Sequence, residues 1–430
     1  MNNQIVNISH LYIKSTIMRA IRFLISSIFI LLLSYSCEKT NVEPGPKEIN
    51  LTQKGKILVE SDNRFGIKLF KAVLKAEEPE ENVMISPLSV SLALAMTYNG
   101  ADGSTKEAME KTLELNGLTI DEINENYKML IDALVSVDPK VLMSIANSIW
   151  YRQNFEVEQD FINVNQNYFY AEVSHLDFYA PDAVTTINNW VADKTKNKIT
   201  EILDEIPAAA VMYLINAIYF KGIWKYEFDE SDTEEKPFYL SDRTTKDVPM
   251  MVQEATFNYL SNDIIQAVEM PYGAGNYSMI ILLPQYNKTL DDIIDQLSNE
   301  NWNRWLSEFY ETEKVQIHLP KFKFEYKNLL KDELINLDMG IAFDPGNADF
   351  SKINPNGGLY ISRVIHKTFI EVNEEGTKAA AVTLVEIEIT AGGETGIHFY
   401  VNQPFIFAIK EKYTNTIIFI GKVMEPDYED

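Results

Sequence analysis

Glu374-Glu375-Gly376-Thr377-Lys378-Ala379-Ala380-Ala381-Val382-Thr383 lies near the C-terminal end of the chain, between two apolar stretches where a core strand would be expected to continue. Side chains of an extended segment alternate between two faces, so Thr377, Ala379, Ala381 and Thr383 share one face and Lys378, Ala380 and Val382 the other. The first face is uniformly small. A strand of that kind can enter a crowded sheet without overpacking it, and its one charge points the opposite way. Leu384–Ile389 then alternates apolar and acidic residues and runs into Thr390-Ala391-Gly392-Gly393, an exposed-loop composition. Composition alone also fits an ordinary surface loop with an alanine run.

Working outward, the N-terminal end reads as an export signal over residues 1–36. Lys14, Arg19 and Arg22 precede the apolar run Phe23–Tyr35, which is short for a membrane span and suited to a signal-peptide core. The chain's single cysteine, Cys37, follows Leu33-Ser34-Tyr35-Ser36 and resembles the lipidated cysteine of a bacterial lipoprotein, although Tyr35 is bulky where a small residue is usual. A plain cleaved signal and an uncleaved anchor are the alternatives. The expected location is outside the cytoplasm, held to a membrane through lipid on Cys37 or secreted. Residues 37–54 are polar and punctuated by Pro44-Gly45-Pro46, which reads as a tether, and the globular part is expected over 55–427.

One cysteine allows no internal disulfide and no thiolate metal site, so stability has to come from packing. Loss of residues 1–36 removes three positive charges and no negative ones, moving the formal net charge from −25 to −28. Such a chain repels nucleic acid and lacks the basic patch that a heparin-like polyanion needs; no cofactor is expected, and a monomer is.

No internal repeat and no second linker divides the rest. Asn63–Lys75, Ser89–Tyr98 and Asp121–Val135 carry apolar residues at helical spacing, and Ser86-Pro87 offers an N-cap with proline at the first helical position. Val211–Phe220 is a charge-free run of strand character, and Gln316–Tyr326 alternates as a half-buried strand. Phe405–Ile409 and Ile417–Val423 form a buried hairpin around Tyr413-Thr414-Asn415. The class is α+β with large, mainly antiparallel sheets. No H-E-x-x-H pair, G-x-S-x-G elbow or P-loop is present, and His175, His318, His366 and His398 are scattered; nothing marks a catalytic or metal site.

Several segments together resemble the serpins, protease inhibitors whose reactive loop inserts into their own central sheet. The similar segments are Asn82–Ser91, Leu214–Trp224, Met270-Pro271-Tyr272, His318–Phe322, the opening run, and Asn402-Gln403-Pro404-Phe405 leading to Phe419–Val423. The resemblance covers residues 55–427 as one domain with an exposed reactive loop at about 374–401. It implies a hinge at Glu374, Gly376, Thr377, Ala379, Ala381 and Thr383. It also implies a structural gate, the shutter and breach, made from Ser86, Ser89, Asn216, Trp224, Lys321 and His366. Asn216 stands in an apolar run and, if buried, needs partners; His366 and the shutter serines are the candidates. Lys321 is expected to pair with Glu374, contributing well under about 1 kcal/mol if both are exposed.

The implied activity is suicide-substrate inhibition of a serine protease, with no catalytic residue in the inhibitor itself. Counting the family's usual distance from Glu374 puts the reactive bond at Thr390–Ala391, with Ile389, Gly392 and Gly393 as neighbours; counting back from Asn402 puts it nearer Gly393. Lys378 replaces an acid common in the family, and Ala381 a frequent glycine. No Lys or Arg occurs between Lys378 and Lys410, which disfavours proteases that need a basic residue before the cut. Elastase-like or subtilisin-like targets fit Ile389, Thr390 and Ala391. A papain-like cysteine protease is the runner-up, and Glu386, Glu388 or Glu394 would suit a glutamate-specific enzyme. The second function kept open is a noninhibitory member acting as a surface binding protein.

Overall fold

The computed structural model describes residues 45–376 and 396–428. In chain order the described helices of seven or more residues are α1 (Gln53–Ala76), α2 (Pro87–Tyr98), α3 (Gly103–Thr112), α4 (Ile120–Leu134), α5 (Gln159–Phe169), α6 (Ala183–Lys194), α7 (Leu290–Gln296) and α8 (Asn299–Glu308). The strands are β1 (Val83–Ile85), β2 (Val141–Arg152), β3 (Glu172–Leu176), β4 (Met212–Gly222), β5 (Glu234–Tyr239), β6 (Thr245–Ser261), β7 (Ile265–Tyr272) and β8 (Tyr277–Pro284). They continue with β9 (Tyr310–Pro320), β10 (Phe322–Leu329), β11 (Ile365–Val372), β12 (Ile397–Tyr400), β13 (Phe405–Glu411) and β14 (Ile417–Val423).

Among the described residues the strands form three sheets. The largest runs β1-β14-β13-β8-β7-β6-β9-β12 with β5 added to β6; a second is the triplet β3-β2-β4, and the third is the pair β10-β11. Only β2–β3 and β9–β12 run parallel, so the sheets are mainly antiparallel as the class implies. The hairpin β13–β14 is buried along its whole length, being covered on both faces.

Helix α2 starts where the sequence predicts it. The Ser86 hydroxyl accepts from the Ser89 amide, Pro87 occupies the first turn, and the helix is buried nearly all round. Helix α1 begins ten residues before the expected Asn63, capped by Thr52. Periodicity missed its first turns because Ser61-Asp62-Asn63 interrupts the apolar pattern, yet all three are buried. Ser61 donates to the Glu114 carbonyl, and Asn63 holds both the Asn415 carbonyl and the Ile417 amide. The predicted strand Gln316–Tyr326 is two strands in two sheets. Pro320 has no amide proton with which to extend the ladder, and the chain changes sheet at Lys321.

The described part of the expected tether is packed onto the body. Asn276 accepts from the Lys47 amide at 2.9 Å and donates to the Lys47 carbonyl at 2.7 Å, while Ile49 and Leu51 lie against the core. Residues 1–44, including Cys37, lie outside the described residues.

One buried acid has no cation. Asp62 of α1 accepts from the Tyr127 hydroxyl at 2.7 Å, but its Oδ2 has no partner among the described residues, and burial pushes the carboxyl up to about 7. An acid whose folded pKa is raised holds its proton longer in the folded chain, so it withdraws stability as pH rises from the unfolded value through 7. Each tenfold change in proton affinity between the folded and unfolded chain is worth about 1.4 kcal/mol. Asp62→Asn should therefore raise stability by a few kcal/mol at pH 8 and leave it nearly unchanged at pH 4. Urea titrations at the two pH values check this; equal effects at both would refute the buried-acid account.

Candidate functional site: a cleft between two strand edges

Strand β4 is paired with β2 along one edge, residue for residue from Met212 to Gly222. Strand β11 is paired with β10 along one edge, from Ile365 to Val372. Their other edges border a common cavity and, among the described residues, are not paired with each other. The cavity has a volume of about 390 Å³. Met212–Ile218 line one side and Arg363–Thr368 the other, α2 supplies Ser89, Val90 and Leu94, and Val191 of α6 covers it with Ile199, Ile202 and Leu203. A second space of about 40 Å³ continues the line between Ile218–Phe220 and Phe369–Val372.

The floor is polar at one point. His366 Nε2 accepts from the Ser86 amide at 3.0 Å, the Ser86 hydroxyl donates to the Ile418 carbonyl at 2.7 Å, and Thr368 donates to the Met84 carbonyl at 2.8 Å. The His366 and Thr368 bonds fasten β11 to the start of α2 and to β1, and the Ser86 hydroxyl ties that start to β14. Burial brings the His366 imidazole down to about 4, so it stays neutral in the folded chain. A depressed histidine contributes stability that is complete above the unfolded value and lost as pH falls through about 4.

Asn216 differs from expectation. It lines the same cavity as His366, Ser86 and Ser89, but it donates to neither His366 nor the serines: its Nδ2 bonds Asn147 Oδ1 at 2.8 Å. Asn147 is its direct cross-strand neighbour on β2 and in turn donates to the Phe169 carbonyl at 2.7 Å. The pair is dictated by register, which only the folded sheet reveals. Asn216 Oδ1 is buried without a partner among the described residues, so the cleft wall carries an unused acceptor.

At the far end of the cleft the chain is clamped. Trp224 stacks on Tyr272 with ring centroids 4.3 Å apart, and its indole donates to the Asn373 carbonyl at 3.0 Å. The Trp224 amide reaches the Glu375 carbonyl at 3.0 Å, and the Phe228 amide the Glu374 carbonyl at 3.1 Å. Gly376 bridges to Ile223 at φ +100°, where an added Cβ would sit 2.5 Å from the Gly222 carbonyl oxygen. Only glycine fits that left-handed, close-packed position.

Lys321 and Glu374 do pair, at 3.1 Å, but as a mostly buried contact, with side chains 17% and 7% exposed. The carboxylate also accepts from the Thr233 hydroxyl at 2.9 Å, and the ammonium lies 4.3 Å from the centre of the Tyr428 ring. The pairing implied by the resemblance is therefore present, and the condition of exposure under which it would be weak is not met: the pair is desolvated, and its rupture would strand a buried charge. Asn373, Tyr272, Thr233, Tyr428 and Asn147 complete these contacts, and sequence reasoning assigned a gating role to none of them.

Thr377, Ala379, Ala381 and Thr383, with Ile389, Thr390, Ala391, Gly392 and Gly393, lie outside the described residues. Among the described residues no cluster of His, Cys, Asp and Glu could hold a metal ion, and no helix is long and apolar enough to cross a membrane.

A family model described as Serpin (serine protease inhibitor) matches residues 60–426. An uncharacterized serpin-like protein of Methanosarcina acetivorans is 34% identical over 379 residues, covering 86% of this chain and 88% of its own. Serpin B6 of Macaca fascicularis is 34% identical over 378 residues, covering 86% of this chain and 100% of its own. The crystal structure of tengpin, a thermophilic serpin in the native state, superposes with a TM-score of 0.79 at 36% identity, covering 88% of this chain and 96% of tengpin. With the facing strand edges, the clamped glycine and these likenesses in agreement, the chain belongs to the serpin family, whose members are generally serine protease inhibitors.

Proposed function

We propose that this serpin is a suicide-substrate inhibitor of serine endopeptidases with small apolar specificity pockets, elastase-like or subtilisin-like, with papain-like cysteine proteases as secondary targets. The observation that carries the reading is the cleft itself: two strand edges flank one cavity, and the chain leaves Gly376 at one end of it. The residues that follow in sequence are Thr377, Ala379, Ala381 and Thr383 on one face, small enough to enter between β4 and β11.

In the proposed sequence the protease's serine Oγ attacks the carbonyl carbon of the residue before the cut, between Thr390 and Gly393. The C–N bond breaks, the new amine leaves with a proton, and the carbonyl carbon remains as an ester on the protease. Freed at one end, the segment from Gly376 enters the cleft as a strand and draws the acyl-enzyme with it. If it paired with both flanking edges it would add on the order of ten or more backbone hydrogen bonds at about 1 kcal/mol each, enough to distort the trapped protease before water releases it. We also assign the chain an exported location, tethered through lipid on Cys37, where it meets proteases outside the cytoplasm as a monomer. The lone cysteine after an apolar stretch and the acidic body support that assignment.

Incubation with elastase, subtilisin, papain and trypsin tests the reading. A complex stable to SDS should form with elastase or subtilisin and not with trypsin; loop cleavage without any complex would overturn it. Thr377→Arg places a charge on the entering face, where burial is costly. That variant should still be cleaved but form at least tenfold less complex, and inhibition equal to the parent would refute insertion through this face.

A further inference from the structure

Residues 195–211 lead from α6 over the cleft and straight into β4, so chain continuity assigns them to the β2–β4 half. Val191, Ile199, Ile202 and Leu203 are buried with Trp150 of β2 and Ile215 of β4, while β11 contributes the half-buried Ile365 and Phe369. Charge joins this cover to the opposite half. Lys198 reaches Glu371 of β11 at 2.7 Å, with its ammonium 4.7 Å from the centre of the Phe369 ring. Asp204 accepts from Lys327 of β10 through both carboxylate oxygens, at 2.8 and 2.9 Å, and Glu205 meets Arg363 just before β11 at 3.1 Å. Hydrogen-bonded by Lys327, the Asp204 carboxyl lies below its usual range.

Exposed ion pairs are individually weak, and inside one rigid body they would leave a rate unchanged. Here they span two bodies. An interaction that must break before the transition state adds its strength to the barrier, whatever it contributes to the starting fold. The cleft is closed where entry from Gly376 begins. The space between Ile218–Phe220 and Phe369–Val372 is about 40 Å³, little more than the share of a single water at about 30 Å³, and Lys198 and Glu371 both line it. Glu371 is 8% exposed, so this pair is the least screened of the three. A strand seated between β4 and β11 would hold them about 9–10 Å apart. The two halves therefore have to part at the Lys198–Glu371 contact before a strand can pass.

We propose that Lys198–Glu371, Asp204–Lys327 and Glu205–Arg363 form an ionic latch across the cleft, which sets the speed of strand entry and makes that speed rise with salt. The consequence for inhibition rests on the function proposed above. Water hydrolyses the ester on the protease while the strand is still outside, so the latch divides the inhibitor between trapping and simple cleavage. A tighter latch favours cleavage. The six residues act by positioning the two halves and touch no reacting atom.

Annealing of a fluorescent peptide with the sequence Thr377–Glu388 to the intact protein, followed by anisotropy, reads strand entry without a protease. The screening length falls from about 10 Å at 0.1 M NaCl to about 3 Å at 1 M, so the parent should anneal roughly tenfold faster at the higher salt. The variant Lys198→Gln/Asp204→Asn/Glu205→Gln/Glu371→Gln should anneal roughly tenfold faster than the parent at 0.1 M and change less than about twofold with salt. Glu172→Gln breaks the Lys194–Glu172 pair, which joins α6 to β3 inside one half, and should match the parent at both salts. Equal rates in the parent and the neutralised variant, an equal salt factor in both, or the same gain from Glu172→Gln overturns the latch. If the neutralised variant does not fold, Asp204→Asn/Glu205→Gln decides, since both side chains are exposed. A gain of about threefold or more at an unchanged urea midpoint supports the latch, and a smaller one refutes it. Annealing at one common rate in every protein leaves the inhibitory reading standing without the latch; no annealing in any of them removes both.

Discussion

Backbone amides and carbonyls along a strand edge demand partners, and in this fold two such edges face each other across a covered cavity. Strand β4 satisfies one edge through β2 and β11 satisfies one through β10, and among the described residues the bridge between Ile223 and Gly376 joins the two halves at one end. Natural sheets usually hide or cap their edges because an open one invites another strand. Here α6 and the segment after it cover the gap, keeping outside chains away while leaving room within. The other contacts of the site serve this arrangement: His366, Ser86 and Thr368 fasten the floor, and Trp224, Tyr272, Lys321 and Glu374 fasten the end where the loop departs.

The two fastenings differ in kind. At the floor, hydrogen bonds run between side chains and backbone groups of β1, α2 and β14, so they report on whether β11 stays seated. At the hinge, backbone bonds from Trp224 and Phe228 hold Glu375 and Glu374, and the desolvated Lys321–Glu374 pair adds direction. A chain held at both points and open between them is poised to accept a strand.

Much of this was legible in the sequence where local rules suffice. The Ser86-Pro87 cap, the charge-free apolar run of β4 and the terminal hairpin follow from short-range chemistry and appear as read. Gly376 was read as part of the hinge, and its φ of +100° explains why that position is glycine; the small-residue run after it lies outside the described residues. What stayed hidden depends on register and burial. Asn216 meets Asn147 because β2 and β4 align there, and no spacing in the chain announces it. The burial of the Lys321–Glu374 pair was left open, because Thr233 and Tyr428, which enclose it, are remote in sequence. The buried triplet Ser61-Asp62-Asn63 hid nearly three turns of α1 for the same reason.

In the function proposed above, the cleft between β4 and β11 takes up a strand from its own chain. The most direct measurement of that uptake is the thermal midpoint of the protein before and after a single cut between Thr390 and Gly393 by a protease that does not form a complex. Insertion of the freed segment completes the sheet, so the cut protein should melt at least about 10 °C higher, since each kcal/mol shifts a domain of this size by roughly 1 °C. A cut chain that melts at or below the temperature of the intact one would contradict the account.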